Sequence, residues 1–275
     1  MAVLEIKDLN FSYGKRKILN GIDFAIKKGE IFCIFGPNGC GKTTMLDCVL
    51  GLQKAEKGEI FFEGKNITEM KIEEIARKVA YVPQKHQHTF GYTVLEMVLM
   101  GRTAHTSMFD SPKKEDIKIA EACLKNVGMY AFKDRIFNNL SGGEAQLVKL
   151  ARALAQETNL IIFDEPTSHL DFRHELNVIK YMAKLIKEFD MSIIMATHFP
   201  NHAFYFENQG LNTKVAMMEN GVFYAKGRAE EVLDEENMSR IFKIKTKVYK
   251  NVEADHFFNY MVPIDFSDGG QWHAS

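Results

Sequence analysis

The chain has 275 residues, 46% hydrophobic and 26% charged, a composition typical of an ordinary globular protein with room for one large α/β domain and a subdomain. Its formal net charge of −1 excludes an overall field that would attract nucleic acid, so we expect no nucleic acid partner. Apolar runs fall short of the roughly 18 residues of a membrane span, and the four cysteines include no C-x-x-C pair that would indicate a zinc site or a disulfide framework.

The first segments predict antiparallel strands. Residues 3–9 and 22–26 alternate apolar and polar side chains, as strands with one solvated face do. Tyr13 follows the first of them and precedes a glycine-rich loop, which makes stacking on an adenine ring a candidate role against the alternative of core or surface packing. Residues 58–64 indicate a further short strand between glycines.

A phosphate-binding loop follows an apolar run at 31–35 and precedes a predicted helix at 45–50. The segment matches the pattern G-x-x-x-x-G-K-[ST], in which glycines let backbone N–H groups surround phosphate oxygens. Lys42 is expected to reach the β- and γ-phosphates, and the Thr43 hydroxyl to bind Mg²⁺. The loop consists of Gly36, Pro37, Asn38, Gly39, Cys40, Gly41, Lys42, Thr43 and Thr44.

Residues 79–82 predict a strand that stops at Pro83, with Gln84 at its end. His86 and His88 lie in the polar loop that follows, and a solvated loop is favoured over a metal site because no third ligand is nearby. From about residue 93 the pattern becomes helical, as shown by the spacing of Ile117, Ala120, Leu124 and Val127. We therefore predict a helical subdomain over about 90–156.

A helix is predicted from Ser141 to about Ala155. Ser141 and Glu144 form an S-x-x-E capping box, which by itself explains the helix start. Gly142 and Gly143 are poor helix formers, but two glycines at a helix N-terminus expose N–H groups to an anion. Both interpretations stay open.

Two buried parallel strands are predicted at 160–163 and 192–196. The first ends in Asp164, a candidate Mg²⁺ ligand, and Glu165, whose side chain is expected to point elsewhere because strand neighbours alternate, and which could activate water. The second ends at His198. Ligands of open α/β sheets bind at the carboxyl ends of strands, which favours a γ-phosphate contact for this histidine over a structural role.

The chain after the second strand predicts further elements. Residues 168–171 lead into a helix at about 173–188. Asn220-Gly221 joins strands at 214–219 and 222–225 in a hairpin with a type I′ turn. A helix is expected over 229–242, and the tail at 245–275 is expected to hold one short packed strand and a frayed end.

Taken together, these residues resemble the ATP-binding subunits of ABC transporters. The phosphate loop is similar to Walker A, Leu140 to Glu144 to the LSGGQ signature with Glu144 in place of glutamine, and 160–165 to Walker B with its catalytic glutamate. The remaining family motifs are resembled by Tyr13 for the A-loop, Gln84 for the Q-loop, Ser168 to Asp171 for the D-loop, and His198 for the switch histidine. The matches run in family order over about residues 3–242.

The resemblance implies an α/β P-loop NTPase with a mixed central sheet, an antiparallel β subdomain and a helical subdomain, over 1–245, with 246–275 as an extension. It implies an ATP hydrolase in which ATP and Mg²⁺ bind between two copies of the chain. Ser141, Gly142, Gly143, Glu144 and Asp171 would complete the partner's nucleotide site. Glu165, His198, Lys42 and Gln84 would be catalytic, and Thr43, Gln84 and Asp164 would hold Mg²⁺.

Within the family, residues 92–102 and 197–203 look most like importers of iron–siderophore, haem and cobalamin. The resemblance then implies two membrane permease subunits that dock near residues 84–102, an indirect link to a substrate-binding protein, and a peripheral position on the cytoplasmic face of the membrane. Phe199 and Ala145 depart from the residues usual at their positions. The alternative is a soluble ABC ATPase, such as an iron–sulphur assembly factor.

Overall fold

A computed structural model describes residues 2–84, 91–106, 111–168, 170–253 and 256–267. The strands are β1 Ala2–Tyr13, β2 Arg16–Lys27, β3 Glu30–Phe35, β4 Lys57–Phe62, β5 Lys65–Asn66, β6 Val79–Val82, β7 Leu160–Asp164, β8 Ser192–Thr197, β9 Asn212–Glu219, β10 Val222–Gly227, β11 Ile244–Glu253 and β12 His256–Phe266. The α-helices are α1 Lys42–Val49, α2 Ile72–Ala76, α3 Val94–Leu99, α4 Lys114–Asn126, α5 Gly142–Ala155, α6 Phe172–Phe189, α7 Pro200–Asn208, α8 Ala229–Val232 and α9 Glu235–Phe242.

A six-stranded sheet in the order β10-β9-β3-β8-β7-β6 forms the centre of the fold. All of its neighbours pair in parallel except β10, which is antiparallel to β9. Every residue of β3, β7 and β8 is buried, with apolar clusters on both faces, as the continuous apolar runs predicted. The carboxyl ends of β3, β8, β7 and β6 therefore meet at one edge of the sheet.

The predicted antiparallel strands form a second sheet in the order β2-β1-β4-β5. In β2 alternate residues, including Ile22, Phe24 and Ile26, are buried as predicted, whereas β-bulges interrupt the alternation in β1, where the neighbours Val3 and Leu4 are both buried. Phe24 of this sheet stacks on Phe32 of β3 with ring centres 4.6 Å apart. The close packing of the two sheets places the turn after Tyr13 beside the phosphate loop.

The segment between β6 and β7 is helical where it is described, as predicted. On α4 the apolar residues used to predict the helix differ in burial, because Ala120 and Leu124 are buried, whereas Ile117 is 37% exposed. Ile117 lies at the edge of the stripe because Asp116 occupies the buried position of that turn. The Asp116 carboxylate accepts a 2.9 Å hydrogen bond from the buried guanidinium of Arg102.

The hairpin of β9 and β10 is confirmed, since Asn220 and Gly221 both have the positive φ of a type I′ turn. The region predicted to be helical over 229–242 is helical except at a break between α8 and α9, where Leu233 leaves the helical conformation, with ψ of 65°. Asp234 then caps α9 by accepting a hydrogen bond from the Asn237 N–H at 2.7 Å. Two capped short helices therefore replace one long helix.

The tail holds two strands, so the expectation of one short strand is wrong. β11 and β12 form an antiparallel hairpin, and Met261 of β12 is buried. The Asn201 amide of α7 donates to the Met261 carbonyl at 3.1 Å and accepts from its N–H at 2.8 Å. Asn208, two turns further along α7, does the same with Asn259, both at 3.0 Å. The helix thus covers the open edge of β12.

Candidate functional site

The phosphate loop joins β3 to α1 in an open conformation that glycines permit. Gly39 and Gly41 have φ of +77° and +112°, in the region that favours glycine. A Cβ on Gly36 would stand 2.4 Å from the main-chain oxygen of Met218. The Lys42 ammonium donates to the carbonyls of Gly36 at 2.7 Å and Pro37 at 3.2 Å. The lysine is therefore buried under its own loop, at the place where phosphates would bind.

Cys40, to which the sequence assigns no function, packs against the phosphate loop. Its side chain is buried, and its Sγ lies 2.6 Å from where a Cβ of Gly36 would be. Its main-chain oxygen accepts a 3.0 Å hydrogen bond from the N–H of Gly221. Burial raises the pKa of the thiol. Cys40 is thus a packing residue that ties the loop to the β9–β10 turn.

The four cysteines are expected to resist thiol reagents in the native protein. All four are buried, and burial raises the pKa of Cys48 to about 12 and that of Cys123 to about 11. A disulfide reagent that releases a coloured thiolate should therefore produce little colour within minutes at pH 8. After denaturation by guanidinium, the colour released should correspond to four thiols per chain. Rapid reaction of any thiol in the native protein would contradict the burial of the four cysteines.

A buried carboxylate lies beside the phosphate loop. Asp164, at the end of β7, is 4% exposed and accepts a hydrogen bond from the Thr43 hydroxyl at 2.9 Å and from the Tyr81 hydroxyl at 3.4 Å. Burial raises its pKa, and burial together with the charge of Asp164 raises the pKa of Asp47. Because the hydrogen-bonding partners of Asp164 are neutral hydroxyls, the site favours a bound cation.

Glu165 follows directly and has φ of +48°, an uncommon conformation for a residue with a side chain. Its direction is therefore set by this turn, and not by the strand alternation that the sequence suggested. Its N–H donates to Ala196 and its carbonyl accepts from Ser168, both at 2.9 Å. Its carboxylate accepts a 2.6 Å hydrogen bond from the Gln84 amide and lies 3.7 Å from Nδ1 of His198. Residues from the ends of β6, β7 and β8 thus converge on one carboxylate.

A cleft of about 440 Å³ opens above the phosphate loop. Tyr13, half exposed and edge-on to Phe11, lies on one side, and Gln84 with Glu165 on the other. Arg16 and Ile18 also line it, and sequence reasoning missed both. They could have been predicted from the sequence, because they follow within five residues of Tyr13, which was itself a candidate for binding adenine. The lining residues are Tyr13, Arg16, Ile18, Asn38, Gly39, Gly41, Lys42, Thr43, Thr44, Gln84 and Glu165.

The predicted signature segment begins α5 with the expected capping box. The Glu144 carboxylate accepts from the N–H and the hydroxyl of Ser141, both at 2.8 Å, and the Ser141 N–H holds the pKa of Glu144 down. A Cβ on Gly143 would stand 1.9 Å from Cδ2 of His174, whereas one on Gly142 would meet nothing closer than Leu170 at 3.8 Å. Gly143 is thus required for helix packing, and Gly142 leaves the helix start open.

Asp171 and the signature segment lie outside the cleft of their own chain. Among the described residues that line the cleft, none belongs to 141–144 or is Asp171. Asp171 caps α6 by accepting from the His174 N–H at 2.9 Å, and its second oxygen is 2.7 Å from His174 Nδ1. These residues therefore have a structural role within the chain, and the structure does not bring them to the phosphate loop.

The candidate metal ligands Thr43, Gln84 and Asp164 offer a hydroxyl, an amide and a carboxylate oxygen, the donor types that Mg²⁺ prefers. Gln84 uses its amide nitrogen for Glu165, so its oxygen remains available. Across the described ranges, no group of three or more His, Cys, Asp or Glu side chains is placed to hold a metal. His86 and His88 lie outside the described residues.

Residues 19–168 match the family model described as ABC transporter. A Helicobacter pylori protein named probable iron chelatin transport ATP-binding protein is 36% identical over 241 residues, covering 87% of this chain and 92% of the relative. The iron(3+)-hydroxamate import ATP-binding protein FhuC of Bacillus subtilis is 34% identical over 248 residues, covering 90% of each.

Among solved structures, a transporter described as of metal-chelate ABC type in an inward-facing conformation has a TM-score of 0.83 and 30% identity, covering 96% of this chain and 98% of that one. Every helix in the described part of this chain is too short or too polar to span a bilayer.

Proposed function

Because this chain belongs to the ABC transporter family of ATP-binding proteins, we propose that it is the ATP-hydrolysing subunit of an importer for a metal chelate, such as an iron–siderophore, haem or cobalamin complex. The observation that carries this proposal is the convergence of Lys42, Thr43, Gln84 and Glu165 on one cleft. The names of the relatives supply the cargo class, because iron chelatin and iron(3+)-hydroxamate are what those proteins transport.

ATP fits the cleft in one orientation. The triphosphate would lie along Gly36 to Thr44, where loop N–H groups and the start of α1 face it. The ammonium of Lys42 would exchange its two carbonyl partners for β- and γ-phosphate oxygens. Tyr13 would stack on the adenine from the open side. Glu165 would orient and polarise the attacking water, and His198, which lies beside it, would contact the γ-phosphate.

The residues present also fit Mg²⁺. The Thr43 hydroxyl already donates a hydrogen bond to the Asp164 carboxylate, and Gln84 lines the same cleft as Thr43. When bound, Mg²⁺ supplies neutralisation of charge on the β- and γ-phosphates. Asp164 would keep its charge because a cation compensates its burial. Gln84 would link this site to the helical segment that follows it in the chain.

A second copy of the chain would complete the site. Ser141, Gly142 and Gly143 form a helix start with N–H groups available to an anion, yet they lie outside the cleft of their own chain. In a head-to-tail dimer, this start and Asp171 would cover the ATP held by the partner's loop. Closure around two ATP molecules and reopening after hydrolysis would then drive the attached subunits.

Two integral-membrane permease subunits are the proposed partners, docked near residues 84–102, with a substrate-binding protein acting through them. The chain would then lie peripherally on the cytoplasmic face of the membrane. The relatives named for iron chelatin transport and iron(3+)-hydroxamate import are matched over about nine tenths of their length, which supports the same arrangement for this chain.

Co-expression with the genes that neighbour this one, together with any permease that they encode, tests this proposal. The tagged chain is expected to purify from detergent-solubilised membranes with the permease, and the complex is expected to hydrolyse ATP faster when a loaded binding protein is added. Washing of membranes at high salt serves as the control for adventitious attachment. A chain that hydrolyses ATP but stays soluble beside its permease would support a soluble ABC ATPase, such as an iron–sulphur assembly factor, and contradict the importer.

A further inference from the structure

A chain of hydrogen bonds lies directly behind the loop that carries His198. The N–H of Phe199 donates to Oγ1 of Thr197 at 3.1 Å, and Thr197 Oγ1 is 3.3 Å from Nδ1 of His202. Nε2 of His202 is 2.6 Å from a carboxylate oxygen of Glu175 on α6. Thr197 and His202 are 1% and 4% exposed, so these bonds are shielded from water. The chain therefore joins α6 to both residues that flank His198.

The donors and acceptors fix the direction of this chain. The Glu175 carboxylate can only accept, so Nε2 of a neutral His202 carries the proton that is donated to it, and Nδ1 accepts from the Thr197 hydroxyl. Burial lowers the pKa of His202, which favours this neutral tautomer. Every donor in the chain then has an acceptor. Loss of any one member would leave a buried polar group without its partner.

His198 itself depends on this support. Its side chain is 42% exposed and 3.7 Å from the Glu165 carboxylate, a separation longer than a hydrogen bond. Its ring packs against Phe199, with ring centres 4.1 Å apart. The position of the imidazole is thus set by the main chain on either side of it, between Thr197 and Phe199.

We propose that Glu175 and His202 are positioning residues that fix the switch histidine His198 through the Thr197 hydroxyl and the main chain of Phe199. This inference rests on the proposed function, in which His198 contacts the γ-phosphate. It assigns a task to a buried histidine and a carboxylate that the direct chemistry does not use.

Glu175 also places this row of hydrogen bonds next to the signature helix. The preceding residue, His174, packs on Gly143 of the signature helix and hydrogen-bonds to Asp171. One turn of α6 therefore contacts the signature helix through His174, and, through Glu175, contacts His202 on α7, the helix that begins two residues after His198. A displacement of either motif relative to α6 changes the distance between His198 and the residues that cover the partner's ATP.

Steady-state ATP hydrolysis by matched variants tests the inference. Thr197→Val removes the hydroxyl and keeps the shape, whereas Thr197→Ser keeps the hydroxyl. His202→Leu removes both ring nitrogens, whereas His202→Gln keeps a donor and an acceptor. We expect Thr197→Val and His202→Leu to lower kcat by about tenfold with KM for ATP within about twofold, since a misplaced catalytic group costs rate and not binding. Thr197→Ser and His202→Gln should stay within about threefold of wild type.

The double variant Thr197→Val/His202→Leu should be no slower than the slower single variant, because both changes break one chain. Full kcat in Thr197→Val would overturn the inference, as would equal losses in Thr197→Ser and Thr197→Val. Thermal melting of each variant checks folding, and Thr197→Val remains the test if His202→Leu does not fold. His198→Ala is measured in parallel. Full activity of His198→Ala would overturn the proposed role of His198. If His198→Ala is inactive while Thr197→Val is as active as wild type, the role of His198 stands and only the positioning role of Glu175 and His202 is overturned.

Discussion

Glu165→Gln is expected to lower ATP turnover by at least about 100-fold, the usual contribution of a positioned general base, while ATP binding is retained. The amide has the size of the carboxylate and can still pair with Gln84, so the turn at residue 165 and the phosphate loop should keep their positions. It carries no charge to polarise the attacking water. Because the reopening step follows hydrolysis, the variant should also accumulate as an ATP-bound dimer.

Phosphate release, equilibrium ATP binding and light scattering of the eluting protein measure these three expectations. Glu73→Gln, the same chemical change on an exposed carboxylate of α2, is the matched control and should hydrolyse ATP at the wild-type rate. Turnover close to wild type in Glu165→Gln would contradict the assignment of Glu165 as the catalytic carboxylate. A variant that no longer binds ATP would show that the carboxylate shapes the cleft instead.

The positions around Glu165 were predictable because they follow buried parallel strands. Apolar runs at 31–35, 160–163 and 192–196 specify strands buried on both faces, and their carboxyl ends must share one edge. The phosphate loop, Asp164 and His198 could therefore be placed together from the sequence. The left-handed turn at Glu165 could not, because it depends on hydrogen bonds to Ala196 and Ser168 that only the folded chain brings together.

Two features that the sequence did not predict depend on residues far apart in the chain. The second strand of the tail is held by Asn201 and Asn208, more than fifty residues earlier in the chain. The partner of His202 is likewise a carboxylate on another helix, so no local pattern marks the chain behind His198. Local signals such as the capping box at Ser141 and the Asn220-Gly221 turn were read correctly, since their partners lie within a few residues.

The two glycines of the signature helix also show the difference between what a local sequence pattern predicts and what contacts in the folded chain decide. The sequence offered one reason for both, which is an open helix start for an anion. The structure separates them, because Gly143 packs against His174, whereas a methyl on Gly142 would meet only Leu170, at an ordinary 3.8 Å. Packing within the chain thus accounts for Gly143, and the proposed contact with the partner's ATP accounts for Gly142.

Alanine at these two positions should therefore fail in different ways. Gly143→Ala drives a methyl into the His174 ring, so we expect a loss of about 1–3 kcal/mol in the free energy of unfolding, typical of overpacking, together with loss of turnover. The double variant Gly143→Ala/His174→Ala removes the ring and should recover much of that stability. Thermal melting and urea titration measure both changes.

Gly142→Ala should leave the melting temperature of the single chain unchanged or slightly raised, since alanine is favoured over glycine within a helix by about 1 kcal/mol and its methyl meets Leu170 at an ordinary 3.8 Å. Its turnover and its ATP-dependent dimerisation should nevertheless fall, by about tenfold or more if a helix-start contact to a phosphate is blocked. Turnover at the wild-type rate in a stable Gly142→Ala protein would mean that the helix start does not receive the partner's ATP. Loss of turnover with intact folding would place the defect between two chains, because nothing in the cleft of one chain has changed.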